Sequence, residues 1–185
     1  MEQILTKNGS ILYTDNELIY KTVPKTRKTH WFHFEETTDD VITKWFETYT
    51  NRFNNHSNFA TIQNLKLPNY FEIKKINGME LHNKLQLLLA DKNGKEIISK
   101  IFKQYKNAVE YILSFQDDFL HVDLARYRNV IVESDTNRLL IIDPDGFVWL
   151  PKSGGPFTPW NNYLFHHCKM VMYKNLTDIK RLLVV

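Results

Sequence analysis

The chain has 185 residues, a hydrophobic fraction of 43%, an aromatic fraction of 14% and a formal charge of +3. This suits one domain, or two small lobes sharing one site, and lacks the dense basic patch of a dedicated nucleic-acid binder, so nucleic acid is not an expected partner. The lone cysteine, Cys168, excludes an intrachain disulfide and a cysteine-rich zinc site and suits a reducing cytoplasm; no apolar run reaches the roughly 18 residues that span a bilayer, and the N-terminal stretch MEQILTKNGS has no secretory pattern.

The first expected elements are three strands, 3–6, 10–13 and 17–23, separated by the turn-forming pairs Asn8-Gly9 and Asp15-Asn16. In the third, Leu18, Tyr20 and Thr22 face one way, while Ile19, Lys21 and Val23 face the other. Pro24 ends it, and a basic loop is expected next. Thr37 and Thr38 are candidate helix caps, and Asp39 and Asp40 suit the positive end of a helix dipole. Val41, Ile42, Trp45, Phe46, Tyr49 and Phe53 then recur at helical spacing, and the same helix has room to start as early as Phe34. Polar residues 51–58 close it. Strands follow at 59–65 and 70–76 around a Leu67-Pro68-Asn69 turn, and Asn77-Gly78 breaks the second.

The composition then changes. Residues 80–90 read as a leucine-rich helix, 91–94 as a turn and 95–115 as a longer helix. The long helix carries Ile97, Ile98, Ile101, Tyr105, Ala108, Val109, Ile112 and Leu113 on one broad apolar face. Two apolar strand-like runs, 130–132 and 139–142, are joined by 133–138; a loop begins at Pro151, and one or two helices, 162–174 and 175–183, end the chain. The expected organisation is a β-rich lobe over 1–76 and a mainly helical lobe over 77–185.

Polar oxygens crowd the ends of the two apolar runs. Asp123 and Asn129 precede the first, and Asp143 and Asp145 follow the second. Such groups at the mouths of buried strands are costly unless something uses them, and a divalent metal carrying phosphates is the expected user. Asp143-Pro144-Asp145-Gly146 also reads as a plain turn. His166-His167-Cys168 is a weaker metal pattern, because adjacent helical residues point about 100° apart.

His121-Val122-Asp123-Leu124, followed by Asn129, resembles the H-x-D-L…N catalytic loop of the protein-kinase-like superfamily. Ile141-Ile142-Asp143-Pro144-Asp145-Gly146 resembles the strand and metal-binding Asp of its D-F-G motif, in the I-D-P form of small phage-encoded and aminoglycoside-kinase-like members. The stretch Glu72 to Leu81 is similar to the family's strand and hinge, and Lys21 lies about a hundred residues ahead of Asp123, as the strand lysine does. The likeness runs through most of residues 3–149.

The resemblance implies an α+β, kinase-like two-lobed fold with a small antiparallel N-lobe sheet, one helix and a reduced helical C-lobe. It implies ATP and Mg2+ as cofactors and a protein or small-molecule hydroxyl as acceptor. Asp123 would take the acceptor's proton, Arg126 would meet the γ-phosphate in place of the family's lysine, and His121 would support the loop. Lys21 would hold the α/β-phosphates and pair with a helix carboxylate, with Glu36 favoured among Glu35, Glu36, Asp39 and Asp40. The hinge backbone near Lys75 and Ile76 would bind the adenine edge. Asn129 and Asp143 would ligate metal, with Asp145 as a further contact. Three departures stand out. Asn129 lies six residues after Asp123, where the family has five and this chain has Arg128; no G-x-G-x-x-G loop is present; and only 38 residues follow Phe147.

Overall fold

The structure, a computed structural model, describes residues 2–5, 11–15, 17–22, 26–30, 33–36, 39–66, 70–115, 119–121, 123–143, 147–149 and 159–184. At some strand, turn and helix positions, Asp123 and His121 among them, it describes the backbone alone. The architecture is α+β, with antiparallel strands and, among the described residues, four α-helices. None of these helices is long and apolar enough to cross a membrane. The chain divides into two compact units, 1–76 and 77–185.

The first unit runs β1 (Glu2–Leu5), β2 (Ile11–Thr14), β3 (Leu18–Thr22), β4 (Thr26–His30), β5 (His33–Glu36), α1 (Asp39–Arg52), β6 (Ile62–Lys66) and β7 (Tyr70–Lys74). Five strands form one sheet in the order β1-β2-β3-β7-β6. Asp15 shapes the β2–β3 turn. Its Oδ1 accepts the amides of Leu18 and Glu17 at 2.7 and 2.8 Å, an Asx-type closure that stabilises the ionised side chain. The Leu18 amide first, then the Glu17 amide, hold its carboxyl below the ordinary value.

Strand β7 alternates, with Phe71 and Ile73 buried and Lys74 exposed. Helix α1 buries Phe46 and Tyr49, and Phe53 just past its end continues the same stripe. The Phe46 ring lies 5.0 Å from that of Phe71, and Phe53 lies 4.6 Å from Phe59, so aromatic pairs knit the core of this unit.

Residues expected as a basic loop include strand β4 instead, which pairs with β5 in a register that sets Arg27 opposite Glu35 and Thr26 opposite Glu36. A charged segment with few apolar residues carries no periodic signal. Glu36 is therefore a strand residue. Its assignment as a helix carboxylate is corrected, because α1 begins at Asp39.

The second unit runs β8 (Gly78–Glu80), α2 (Leu81–Leu89), α3 (Gly94–Ser114), β9 (Phe119–His121), two single-turn 3-10 helices (Asp123–Ala125 and Tyr127–Asn129), β10 (Val130–Glu133), β11 (Leu139–Ile141), β12 (Phe147–Trp149) and α4 (Pro159–Arg181). Strands β11, β10 and β8 form one antiparallel sheet, and β9 pairs with β12. Leu81, Leu85 and Leu88 make the buried stripe of α2, and Ile98, Ile101, Tyr105, Ala108, Val109 and Ile112 that of α3. Every residue of β11 is buried, which fits a strand covered on both faces.

Gly94 lets α2 and α3 meet closely. A Cβ there would run into the Leu88 carbonyl. The tail is one helix rather than two. Asn175, where the second of two tail helices would begin, continues α4 with only 6% of its surface exposed. Its polar side chain is consumed inside the fold, which removes the reason to read it as a helix end.

Candidate functional site

Two candidate metal ligands, Asn129 and Asp143, lie at the same end of the β10–β11 hairpin. Val130 pairs with Ile141, and beyond that pair the Ile142 amide donates to the Asn129 carbonyl at 3.0 Å. The register thus sets Asn129 opposite Ile142, with Asp143 one residue further along the chain at the open end of the hairpin, both half-buried. The far end is tied separately. Arg138 forks onto Glu133 at 2.8 and 3.1 Å, and Thr136 donates to the same carboxylate at 2.6 Å. Asn137 there adopts a left-handed φ of 53°, which asparagine tolerates better than most residues.

Asp123 opens the first 3-10 turn, whose next residue, Leu124, is fully buried. Two side chains from distant helices reach this turn. The Tyr105 hydroxyl of α3 donates to the Leu124 carbonyl at 2.6 Å. Asn175 of α4 donates through Nδ2 to the Tyr105 oxygen at 2.9 Å and to the Ala125 carbonyl at 3.2 Å. Burial drives the Tyr105 phenol upward, so it stays a neutral donor at any ordinary pH.

Gln104, one residue earlier, accepts the Leu139 amide at 2.9 Å and donates to the Asn137 carbonyl at 3.0 Å. Helix α3 therefore sets both the candidate loop and the hairpin. Tyr127, in the second 3-10 turn, stacks 6.4 Å from His82 and meets Tyr105 edge-on at 6.5 Å. Burial first, then the Asp178 charge, pushes its phenol up to about 12.

Arg126 lies between the two turns with its side chain exposed, and its carbonyl accepts the Asn129 amide at 2.9 Å. His121 sits in β9 opposite Phe147. Asp145 lies outside the described residues. Among the described residues no three His, Cys, Asp or Glu side chains cluster as a metal site. In the pattern His166-His167-Cys168 the cysteine is buried and both histidines are exposed. Asn129 and Asp143 do offer what Mg2+ takes, hard oxygen donors with one carboxylate among them.

In the first unit, Lys21 stands in β3 between Leu12 of β2 and Phe71 of β7. It is half-buried, and its Nζ is 6.0 Å from the Phe71 ring centre. The Lys75 amide donates to Glu17 at 2.7 Å, and its Nζ to the Asp15 carbonyl at 3.3 Å. That amide is occupied within its own unit, so an adenine edge would have to use a neighbouring backbone group. Ile76 follows, half-buried.

The residues that sequence reasoning missed are Tyr105, Asn175 and Gln104. Tyr105 falls on the apolar stripe of a helix and reads as core. The one signal it carries is its hydroxyl, which needs a partner wherever the ring is buried. Asn175 falls at the boundary between two possible tail helices, and Gln104 falls outside the apolar face of its helix. Compared with known proteins, the chain matches no family model and no curated protein sequence.

Proposed function

We propose that the chain is a kinase-like phosphotransferase that moves the γ-phosphate of Mg-ATP to a hydroxyl acceptor. The observation that carries this reading is that the β10–β11 hairpin sets Asn129 opposite Ile142, one residue from Asp143, shortly after the turn that begins with Asp123. In this reading the fold is the two-lobed kinase-like one with a reduced helical lobe. Residues 1–76 supply the phosphate-holding Lys21, and 77–185 supply the base and the metal ligands. The order of motifs along the chain supports it independently.

Phosphoryl transfer asks little covalent chemistry of the protein, so catalysis is mainly positioning and charge neutralisation. Bound Mg2+ would neutralise phosphate charge, held by the Asp143 carboxylate and the Asn129 amide oxygen. Asp123 would orient the acceptor hydroxyl and take its proton. Arg126, exposed beside that turn, would meet charge on the γ-phosphate with its planar fork. Lys21 would hold the α/β-phosphates, and Glu36 is replaced as its partner on the helix by Asp39 or Asp40. A protein Ser or Thr is favoured as acceptor over a small molecule.

A second reading, a kinase-like binding module without turnover, is favoured by the six-residue step from Asp123 to Asn129 and by the occupied Lys75 amide. One experiment separates the two. The protein is incubated with γ-labelled ATP and Mg2+, alone and with cell extract, beside an Asp123→Asn variant. The phosphotransferase transfers label, and the variant loses at least about a hundredfold in rate. Label transfer unchanged in Asp123→Asn would sink the role of Asp123. A Mg-ATP-dependent thermal shift with no label transfer selects the binding module.

A further inference from the structure

We infer that Tyr105 and Asn175 are positioning residues that hold the Asp123–Ala125 turn through its backbone, so that the C-terminal helix helps to set the candidate base. The part of this that concerns catalysis rests on the phosphotransferase reading above.

The turn is three residues long. A single 3-10 turn has poor hydrogen-bond geometry and leaves its last carbonyls without partners of its own. Here two consecutive carbonyls, of Leu124 and Ala125, are taken by side chains from helices 19 and 50 residues away in sequence. The donors form a relay. Asn175 donates to the Tyr105 oxygen, and Tyr105 donates onward to Leu124. Aligned bonds in a dry interior polarise and strengthen one another.

The dry interior is real at this point. Tyr105 and Leu124 are fully buried, and Asn175 is nearly so. An apolar pair of similar volume would pack there without any polar demand. What it would not do is fix two carbonyls, and with them the backbone at Asp123, in one orientation. Asn175 also satisfies both amide hydrogens at this site, so rotation of its amide would break two bonds at once.

The test compares the full-length protein with Tyr105→Phe, Asn175→Leu and a control, Ile98→Val, which trims the fully buried face of α3 away from the turn. Hydrogen exchange is read by mass spectrometry on peptides covering 119–131 and on the rest of 77–185. In both polar variants the 119–131 peptides should exchange about tenfold faster, with smaller changes elsewhere, while the control shows no such selectivity. Exchange that rises evenly through the unit in the polar variants overturns the clamp and makes both residues ordinary core. The labelled-ATP assay supplies the second readout. Positioning predicts that kcat falls about tenfold or more with KM for ATP within about twofold. Selective loosening with unchanged kcat overturns the catalytic part alone. If the parent protein transfers no phosphate, the phosphotransferase reading fails, and exchange still decides the clamp.

Discussion

Two buried tyrosines, one in each unit, solve the same problem at different range. Tyr49 of α1 is fully buried and donates its hydroxyl to the Ala60 carbonyl at 2.6 Å, 11 residues on. Tyr105 of α3 is equally buried and donates to Leu124 at the same distance, but it also accepts from Asn175, 70 residues further along. The first closes a local return from a helix to the next strand, where Asn54 also clasps both backbone groups of Ile62 at 2.8 and 3.0 Å. The second ties three separated elements at the turn that carries Asp123. A loop that only reverses the chain can be held by its own neighbours. The Asp123 turn is held here from afar.

The contrast can be broken most forcefully at Leu124, whose fully buried side chain anchors the turn from below. Leu124→Ala should cost about 3 kcal/mol, within the range for buried leucines, as read by urea denaturation. A loss near zero would mean that the polar bonds alone hold the turn. Next comes Tyr49→Phe, which leaves the buried Ala60 carbonyl without its hydroxyl donor. It should cost about 1–2 kcal/mol. Tyr105→Phe should exceed it in the same measurement, because it orphans partners on both sides of the ring oxygen. Equal losses would erase the distinction between the two tyrosines.

The smallest effect is a pH dependence in the local return of the first unit. His56 Nδ1 accepts the Asn58 amide at 3.2 Å, and burial holds the imidazole below its ordinary value of 6.5. The unfolded chain then binds the extra proton more readily than the folded one. Stability from this group is complete above about pH 6.5 and declines as pH falls through the lower folded value. Urea midpoints at about pH 7.5 and about pH 5 should therefore converge in His56→Gln relative to the parent. An unchanged gap would show that protonation of His56 does not matter to folding.

Much of the element order was legible because it rests on periodicity. The stripe from Phe46 to Phe53 marks α1, the leucines 81, 85 and 88 mark α2, and the apolar runs around Val130 and Leu140 mark the hairpin. Where the pattern is charged rather than apolar it failed. Strand β4 reads as part of a loop, and Glu36 moved from an expected helix to strand β5, its partner. Pairing of β9 with β12 was also missed, since each is three residues long and about 25 residues separate them. Of the candidate site, the residues bearing oxygens could be picked out from their place at strand ends. The donors that hold their loop could not, because a tyrosine in an apolar stripe looks like core and Asn175 looks like the start of a second tail helix.

Local chemistry therefore determined helices α1, α2 and α3, the β10–β11 hairpin and the set of oxygen-bearing residues. Apolar spacing and turn propensity act over a few residues and need no partner elsewhere. The folded chain alone decided that Asn129 stands opposite Ile142, the residue before Asp143 in sequence, that α4 runs unbroken through Asn175, and that Tyr105 and Asn175 share the carbonyls of the Asp123 turn. These outcomes depend on hydrogen bonds between groups up to 70 residues apart, whose strength comes from the dry interior that packing creates.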